Sequence, residues 1–417
     1  PRASAVLRIM PIAGGNSKNV WLMAGVCLRQ KITKKNKKMA PQEQAQKPDF
    51  ILLAAVAAAL LLGVMILSSA SATMAQVKYG DSYYLIRHQL IFGVLPGLLA
   101  GVLAYKIPLS WMRKLAPPLL LISIVLLFLI FVPGFGFSAG GAKRWIHLGF
   151  ATIQPAEILK PVFILYLASW LASRTERKLS GKNSGQEFQN TLAAFIVVVG
   201  LIGLLLLKQP DMSTFGVVAL TACVMYFLAG TPIKHSLFIV FAGFLSLVVL
   251  VWLAPYRADR LTSWLSPESD PLGKGYQSGQ ALIVVGSGGI FGQGFGASSQ
   301  KYTFLPELIG DSIFAPYAHE LGFVGGAALI VIFAVFAWRG FAVVRRSRNK
   351  FESLAAAGIT FWITVQAIIN IAAAARMVPL GGIPLPFISY GGTAMIVELA
   401  AVGLLLNISR AAAERKL

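Results

Sequence analysis

Acidic side chains are scarce in this chain and cysteines scarcer: 16 Asp and Glu stand against 37 Lys and Arg, and the two cysteines are Cys27 and Cys223. Both lie in or beside apolar runs with no metal-ligand spacing between them, so neither a disulfide framework nor a zinc site is indicated. Charge of any sign is also sparse, at 13% of residues against 56% apolar side chains, and the mean hydropathy is +0.71. A soluble globule does not have that composition, so lipid is the expected solvent. Three signals are absent as well: the ten-residue alternating strands of a membrane barrel, a Walker or dinucleotide fingerprint, and an internal repeat.

What the chain does have is long apolar runs, near residues 50–70, 88–104, 115–133, 151–171, 191–207, 212–230, 236–254, 312–338, 353–375 and 386–408. Helices of that length suit a hydrocarbon layer of roughly 30 Å. The expected fold is therefore an all-α polytopic membrane protein of ten transmembrane helices, with a long extracytoplasmic loop, 255–310, between helices 7 and 8. A net charge of +21 suggests nucleic acid until the cations are placed. With the first residue inside, 26 of the 37 Lys and Arg fall on inner segments, as the positive-inside rule requires. No nucleic-acid partner is needed, and both termini are expected in the cytoplasm.

Residues 1–48 are basic and polar, with Lys31, Lys34, Lys35, Lys37 and Lys38 in one run, and read as a disordered cytoplasmic tail ahead of a membrane domain over 49–417. The apolar run Val20–Leu28 resembles a signal-peptide core, but lysines follow it where a small-residue cleavage site belongs. Because a Met stands at position 39, the first 38 residues are a candidate upstream extension. Within the long loop, Ala281–Phe291 is too short to span and is interrupted by glycines, so a re-entrant or interfacial element is expected there.

Charges at membrane depth cost roughly 2.5 to 3.5 kcal/mol each on insertion scales, so each one asks for a reason. Glu157 and Lys160, after Gln154 and Pro155, are spaced i, i+3 on one helix face. They form either an internal ion pair or the polar floor of a substrate cavity. Lys208-Gln209-Pro210-Asp211 is a tight outer turn whose Asp211 either shapes an outer cavity or caps the next helix. Lys143 and Arg144 sit beside Trp145, an interfacial anchor; the Arg144 fork matches phosphate oxygens. Glu307 and Asp311 close the long loop at the start of the eighth helix, where an acid serves as an N-cap or as a working carboxylate. Arg257, Arg260, Lys274 and Lys301 share that loop, a fitting surround for a pyrophosphate-linked substrate.

These motifs occur in a recognisable order. Gly141-Ala142-Lys143-Arg144-Trp145-Ile146, Gln154-Pro155-Ala156-Glu157 with Lys160, Gln209-Pro210-Asp211, Tyr256-Arg257 with Arg260, Asp270 through Gln277, Gly286-Ser287-Gly288-Gly289, Gln300-Lys301, Leu305-Pro306-Glu307 with Asp311, and Gly382 through Gly392, which includes Ser389 and Tyr390, follow one another along residues 49 to about 410. The chain thereby resembles the shape, elongation, division and sporulation (SEDS) family, which includes FtsW, RodA and SpoVE. Gln300-Lys301 ahead of Leu305-Pro306-Glu307 is more similar to the division member FtsW than to the elongation member RodA. The resemblance implies a ten-helix enzyme of the bacterial plasma membrane that polymerises lipid II into glycan strands outside the membrane, at the division septum. It also implies a class B penicillin-binding protein that crosslinks the product, and other divisome membrane proteins as partners. Asp311 matches the family's essential outer-loop aspartate. Two departures stand out: His319 precedes Glu320 where the family often has a second glutamate, and Arg376 follows four alanines where an apolar Gly-rich stretch is usual.

In that reaction a sugar 4-hydroxyl attacks the anomeric carbon of a lipid-pyrophosphate-linked sugar. One carboxylate base suffices, with cations or a divalent metal such as magnesium or manganese at the leaving pyrophosphate. Asp311 is the expected base and Glu307 the second candidate; Glu320 would lie on the opposite face if it shared a regular helix with Asp311. A lipid-linked precursor flippase is the rival from another class, and a non-catalytic division scaffold the third reading. No broken-helix repeat symmetry supports the flippase.

Overall fold

In a computed structural model of the chain, residues 47–139, 142–147, 149, 152–179, 186–252, 262, 264–265, 276–297, 308–379 and 381–413 are described. They form one helical unit beginning at Lys47. Its helices are α1 (Phe50–Tyr79), α2 (Tyr84–Lys106), α3 (Leu109–Leu129), α4 (Pro155–Leu179), α5 (Gln186–Lys208), α6 (Met212–Leu228), α7 (Ile233–Trp252), α8 (Tyr276–Ser287), α9 (Phe314–Arg346), α10 (Lys350–Ala374) and α11 (Gly392–Ala413). Among the described residues eight helices are long and apolar enough to cross a membrane, and α6 and α7 are further apolar helices. Eight of the ten expected spans thus fall on such helices, the expected spans 212–230 and 236–254 fall on α6 and α7, and α8 overlaps the first part of the apolar stretch 281–291.

The ends of the helices follow local chemistry. Asp49 caps α1 by accepting from the Leu52 amide at 3.1 Å, and Gly80 closes that helix in the left-handed region, φ 74°. Inside α2 a π-helical turn at Leu90–Val94 directly precedes Pro96, whose missing N–H and ring bulk disturb the ladder at that point. The expected span 386–408 begins late: residues 386–391 form a turn rather than helix, because Phe387 at φ 66° takes the backbone out of the helical region.

The three most enclosed helices are α10 and α11, each 67% buried over its apolar window, and α4, at 61%; α3 and α5 reach only 22% and 28%. Helix α11 packs along α2, α9 along α10 and α1, and α4 between α3 and α10. Gly101 and Gly403 make the α2–α11 crossing possible, since a Cβ on Gly403 would meet the Gly101 carbonyl.

The α3–α4 connection adds a feature that the all-helical expectation did not contain. Strands β1 (Gly136–Ala139), β2 (Ala142–His147) and β3 (Thr152–Ile153) form a small antiparallel sheet in that order. Phe137 pairs with Trp145 and Ser138 with Lys143, so Arg144 is the extra residue of a bulge. Such bulges re-aim a side chain. Strands this short, two to six residues, leave no periodic signal in the sequence.

The other departure is in α9. Gly322 adopts φ 68°, ψ −166° and breaks the helix at membrane depth. The freed backbone groups are satisfied by the segment after α8: Phe323 and Val324 amides donate to the Gly289 and Ile290 carbonyls (2.9 and 3.1 Å), and Gln293 and Gly294 amides donate to the His319 and Glu320 carbonyls (2.9 and 3.2 Å). Irregular backbone is tolerated there because protein, not lipid, meets it.

Candidate active site

Asp311 lies in a turn, 308–313, ahead of α9. The N-cap position of that helix belongs to Ile313, which makes no side-chain cap bond, and Asp311 stands two residues ahead of it. Asp311 therefore does not share a regular helix with Glu320, and the argument from helical facing does not apply to the pair. What holds the turn is a set of polar groups from three other elements. Ser389 Oγ donates to the Gly310 carbonyl at 2.7 Å, and the Tyr390 amide donates to the Ile309 carbonyl at 2.8 Å. Asn370 Nδ2 on α10 donates to the Asp311 and Ile383 carbonyls, each at 2.8 Å. From α8, Gln277 Nε2 reaches Ser312 Oγ at 3.2 Å. Leu308, Ile309, Ser312 and Ile313 are buried while Asp311 is half-buried, so the backbone is locked and the carboxylate is left at the margin. Gly382, φ 68°, stands next to it: a Cβ there would come within 3.3 Å of Asp311 Oδ2.

Tyr390 is tied in turn to α2. Its hydroxyl lies 2.9 Å from His88 Nδ1, and the Gly391 amide donates to Gln89 Oε1 at 3.1 Å. Burial, with Tyr79 and Tyr84 adding, pushes the Tyr390 phenol up to about 12, so it is a neutral hydrogen-bonding group at physiological pH.

Deeper in the bundle, Glu157 and Lys160 are both about 2% exposed, with Oε2 and Nζ 2.7 Å apart. The expected pairing is thus present, and it has companions that the sequence reading missed. Lys160 Nζ donates to Gln366 Oε1 at 2.9 Å and sits 5.2 Å from the centre of the Trp362 ring. Trp362 Nε1 donates to the same oxygen at 2.8 Å. Gln366 Nε2 donates to the Pro384 carbonyl at 3.0 Å and lies 3.4 Å from Glu398 Oε1. Glu398 Oε2 accepts from the Phe387 amide at 2.9 Å. The signal for these residues was available: Gln366 and Asn370 are amides spaced i, i+4 on an apolar helix, and Glu398 is an acid within a span.

The remaining candidates are placed less centrally. Asp211 is buried and caps α6, accepting from the Thr214 amide at 3.3 Å. Arg144, aimed by the β-bulge, donates from Nε to the Gln209 carbonyl at 3.2 Å and from Nη2 to the Pro210 carbonyl. It clamps the sheet to the α5–α6 turn. Lys143 beside it is exposed. The Gln154 amide donates to Thr393 Oγ1 at 3.3 Å, joining the start of α4 to that of α11. Arg257, Arg260, Lys301 and Glu307 lie outside the described residues. Among those described in the long loop, Trp264 Nε1 donates to the Arg376 carbonyl at 2.9 Å. Glu320 accepts from Ser69 Oγ at 2.5 Å, and His319 Nδ1 is 2.8 Å from Ser287 Oγ. A cleft of about 290 Å³ lined by Lys47, Asp49, Arg339 and Arg346 is at the opposite end of the helices and touches none of this.

The family profile described as cell cycle protein, FtsW, RodA and SpoVE, matches residues 50–414. The chain belongs to that family. Stage V sporulation protein E of Bacillus subtilis is 38% identical over 363 residues, covering 87% of this chain and 97% of that protein. The probable peptidoglycan glycosyltransferase FtsW of Thioalkalivibrio sulfidiphilus is 37% identical over 373 residues, 89% and 91% of the two chains. Among solved structures, a chain of a peptidoglycan synthase complex in which polymerization and crosslinking are coordinated superposes with a TM-score of 0.69 at 30% identity, over 87% of this chain and 98% of that one. The rod shape determining protein RodA of Thermus thermophilus gives 0.62 at 28%, over 89% and 98%. The FtsW/RodA/SpoVE fold therefore extends across the whole described unit.

Proposed function

We propose that this chain is a peptidoglycan glycosyltransferase that polymerises lipid II during cell division, with Asp311 as the base. The observation that carries the assignment to a residue is the seat of Asp311: a backbone fixed from α8, α10 and the 382–391 turn, in a residue that is half-buried with its Oδ2 beside Gly382. A general base needs that combination of fixed position and access. As the 4-hydroxyl of one N-acetylglucosamine attacks the anomeric carbon of another chain's N-acetylmuramic acid, the hydroxyl proton passes to Asp311. The bond from that carbon to the pyrophosphate breaks, and undecaprenyl pyrophosphate leaves. Arg257, Arg260, Lys301 and Lys143 are the candidates to meet the leaving charge, with Glu307 a further polar group of the same loop. Among the described residues no cluster of three His, Cys, Asp or Glu side chains gathers to hold a resident metal. A divalent cation such as magnesium or manganese, where one is used, would neutralise charge on the leaving pyrophosphate, and the base role of Asp311 does not depend on it.

The substrate is membrane-anchored and extracytoplasmic, which requires the Asp311 end of the helices to face outward. The distribution of cations supports that orientation. A class B penicillin-binding protein is the proposed crosslinking partner, in keeping with the peptidoglycan synthase complex, coordinating polymerization and crosslinking, one chain of which this one resembles.

The test is direct. Purified chain with labelled lipid II, alone and with a crosslinking partner, is expected to yield glycan strands, and Asp311→Asn to abolish them while insertion and partner association persist. Proton transfer of this kind contributes about 10² to 10⁴-fold in rate. A folded Asn variant polymerising within about threefold of the parent would remove Asp311 as base and make Glu307 next in line.

A further inference from the structure

Phe387 is a bulky residue held at φ +66° and almost fully buried, 2% exposed. The left-handed region is unfavourable for a side chain of this kind and persists only where surrounding contacts over-determine it. Its buried amide needs an acceptor, and Glu398 Oε2 supplies one at 2.9 Å. The start of the same turn is held by Gln366 Nε2 on the Pro384 carbonyl at 3.0 Å. The Gln366 amide has only one orientation compatible with its neighbours: Lys160 Nζ and Trp362 Nε1 are both donors, so the atom between them must be the oxygen, and the nitrogen must face Pro384 and Glu398. Beyond Phe387 the turn ends in Ser389, which accepts the Leu385 amide at 2.8 Å and donates to the Gly310 carbonyl at 2.7 Å. An unbroken set of hydrogen bonds thus runs from the buried Lys160 to the residue before Asp311.

We propose that Glu398 and Gln366 are positioning residues, which hold the Pro384–Ser389 turn in a strained shape so that Ser389 fixes the Gly310–Asp311 backbone. The inference rests on Asp311 as the base for its effect on turnover, but not for its effect on the backbone. Glu398→Leu leaves the Phe387 amide without its acceptor and relaxes the turn. Glu398→Gln keeps an oxygen for that amide. Ser389→Ala cuts the same route at its last link without touching a buried charge.

The experiment is lipid II polymerisation by full-length protein, read as kcat and KM, together with amide hydrogen exchange at 308–312 and 385–391. Glu398→Leu is expected to lower kcat at least tenfold with KM within twofold, and to speed exchange in both segments; Glu398→Gln, which keeps the Phe387 acceptor but sets its NH2 against Gln366 Nε2, should fall between the parent and the Leu variant in both readouts. Ser389→Ala should reproduce the kcat loss and the faster exchange at 308–312, and adding Glu398→Leu to it should cost little more. Unchanged exchange at 308–312 in folded Glu398→Leu or Ser389→Ala overturns the proposal, as does a kcat within twofold of the parent in either. If Asp311→Asn, run in parallel, proves active, the base assignment fails, while the exchange data still decide whether Glu398 holds the segment.

Discussion

Lys160 has no route to water at 2% exposure, and three groups answer its charge: the Glu157 carboxylate, the Gln366 oxygen and the face of Trp362. In a low-dielectric interior the loss of one member of an ion pair leaves an uncompensated charge, typically costing about 3 to 5 kcal/mol, while removing both costs much less. Glu157→Gln and Lys160→Met are each expected to lower the thermal midpoint in detergent markedly, and the double change to recover a large part of the loss. Additive losses would show that the two side chains do not answer each other. The i, i+3 spacing made this pair legible from sequence, whereas Asp311 stood out as an acid beside Glu307 at the start of the eighth helix and as a base only through the family resemblance. Gln366 and Glu398 were not tied to the pair in advance, because they stand 206 and 238 positions beyond Lys160 in the chain, and only the packing of α4 against α10 and α11 brings them together. Arg144 shows the opposite limit: its chemistry suits phosphate oxygens, yet a one-residue bulge turns it onto two backbone carbonyls.

Helix α9 is the element where local sequence and final structure diverge most. Glu320-Leu321-Gly322-Phe323 reads as ordinary apolar helix with a small residue for packing, and the break at Gly322 appears only once the segment after α8 is seen to complete its hydrogen bonds. Gly292 and Gly322 face each other there, both with positive φ. A Cβ on Gly292 would collide with the Glu320 carbonyl and come within 2.8 Å of the Gly322 nitrogen. Gly294, also at positive φ, and Gly279, inside α8, have open space instead. Alanine substitutions at these three positions should therefore rank by mechanism. Gly292→Ala suffers both strain and backbone collision and should be the most destabilising. Gly294→Ala suffers strain alone, about 1 to 2 kcal/mol. Gly279→Ala should be neutral or stabilising by some tenths of a kcal/mol, since alanine is the better helix former. Thermal midpoints in detergent measure the order, and a Gly294 variant as damaged as the Gly292 one would mean that the close approach across the break is not what the glycine serves. The same comparison explains why a boundary was legible where Pro punctuates a short connection, as at Gln209-Pro210-Asp211, and not where a long-range partner permits an interruption; the first span, expected to end near 70, instead runs to Tyr79 ahead of Gly80.

At the scale of the whole molecule the helices alternate in direction, so that each end collects its own connections. One end gathers Lys106, Arg113, Lys114, Lys234, Arg345, Arg346 and Lys350, and there Arg113 pairs with Glu176 at 2.9 Å and Arg339 with Asp49 at 2.5 Å. The other carries the β-sheet, the Gln209–Asp211 turn, the described parts of the long loop and the turn that holds Asp311. Hydropathy located the spans, but it could not say that residues 310, 370, 382 and 389 would meet, since that is decided by side-chain geometry between helices rather than by solvent preference. The asymmetry of charge nonetheless makes orientation a testable property of the entire bundle. Short loops rich in Lys and Arg resist translocation, so the end with Arg113 and Arg345 should remain in the cytoplasm. Reporter tags after Leu417 and within the 174–189 connection are expected on the cytoplasmic side, and a tag near Ser269 in the long loop outside the cell. Each span reverses the chain, so one misassigned helix between two tags would put them on the wrong relative sides; the three positions therefore also reveal whether just one of α6 and α7 fails to cross. A cytoplasmic Ser269 tag with an external 174–189 tag would invert the molecule and move Asp311 to the face where an extracytoplasmic glycan cannot reach it. A cytoplasmic Ser269 tag beside a cytoplasmic 174–189 tag would leave an even number of crossings between them and show that one of α5, α6 and α7 does not span.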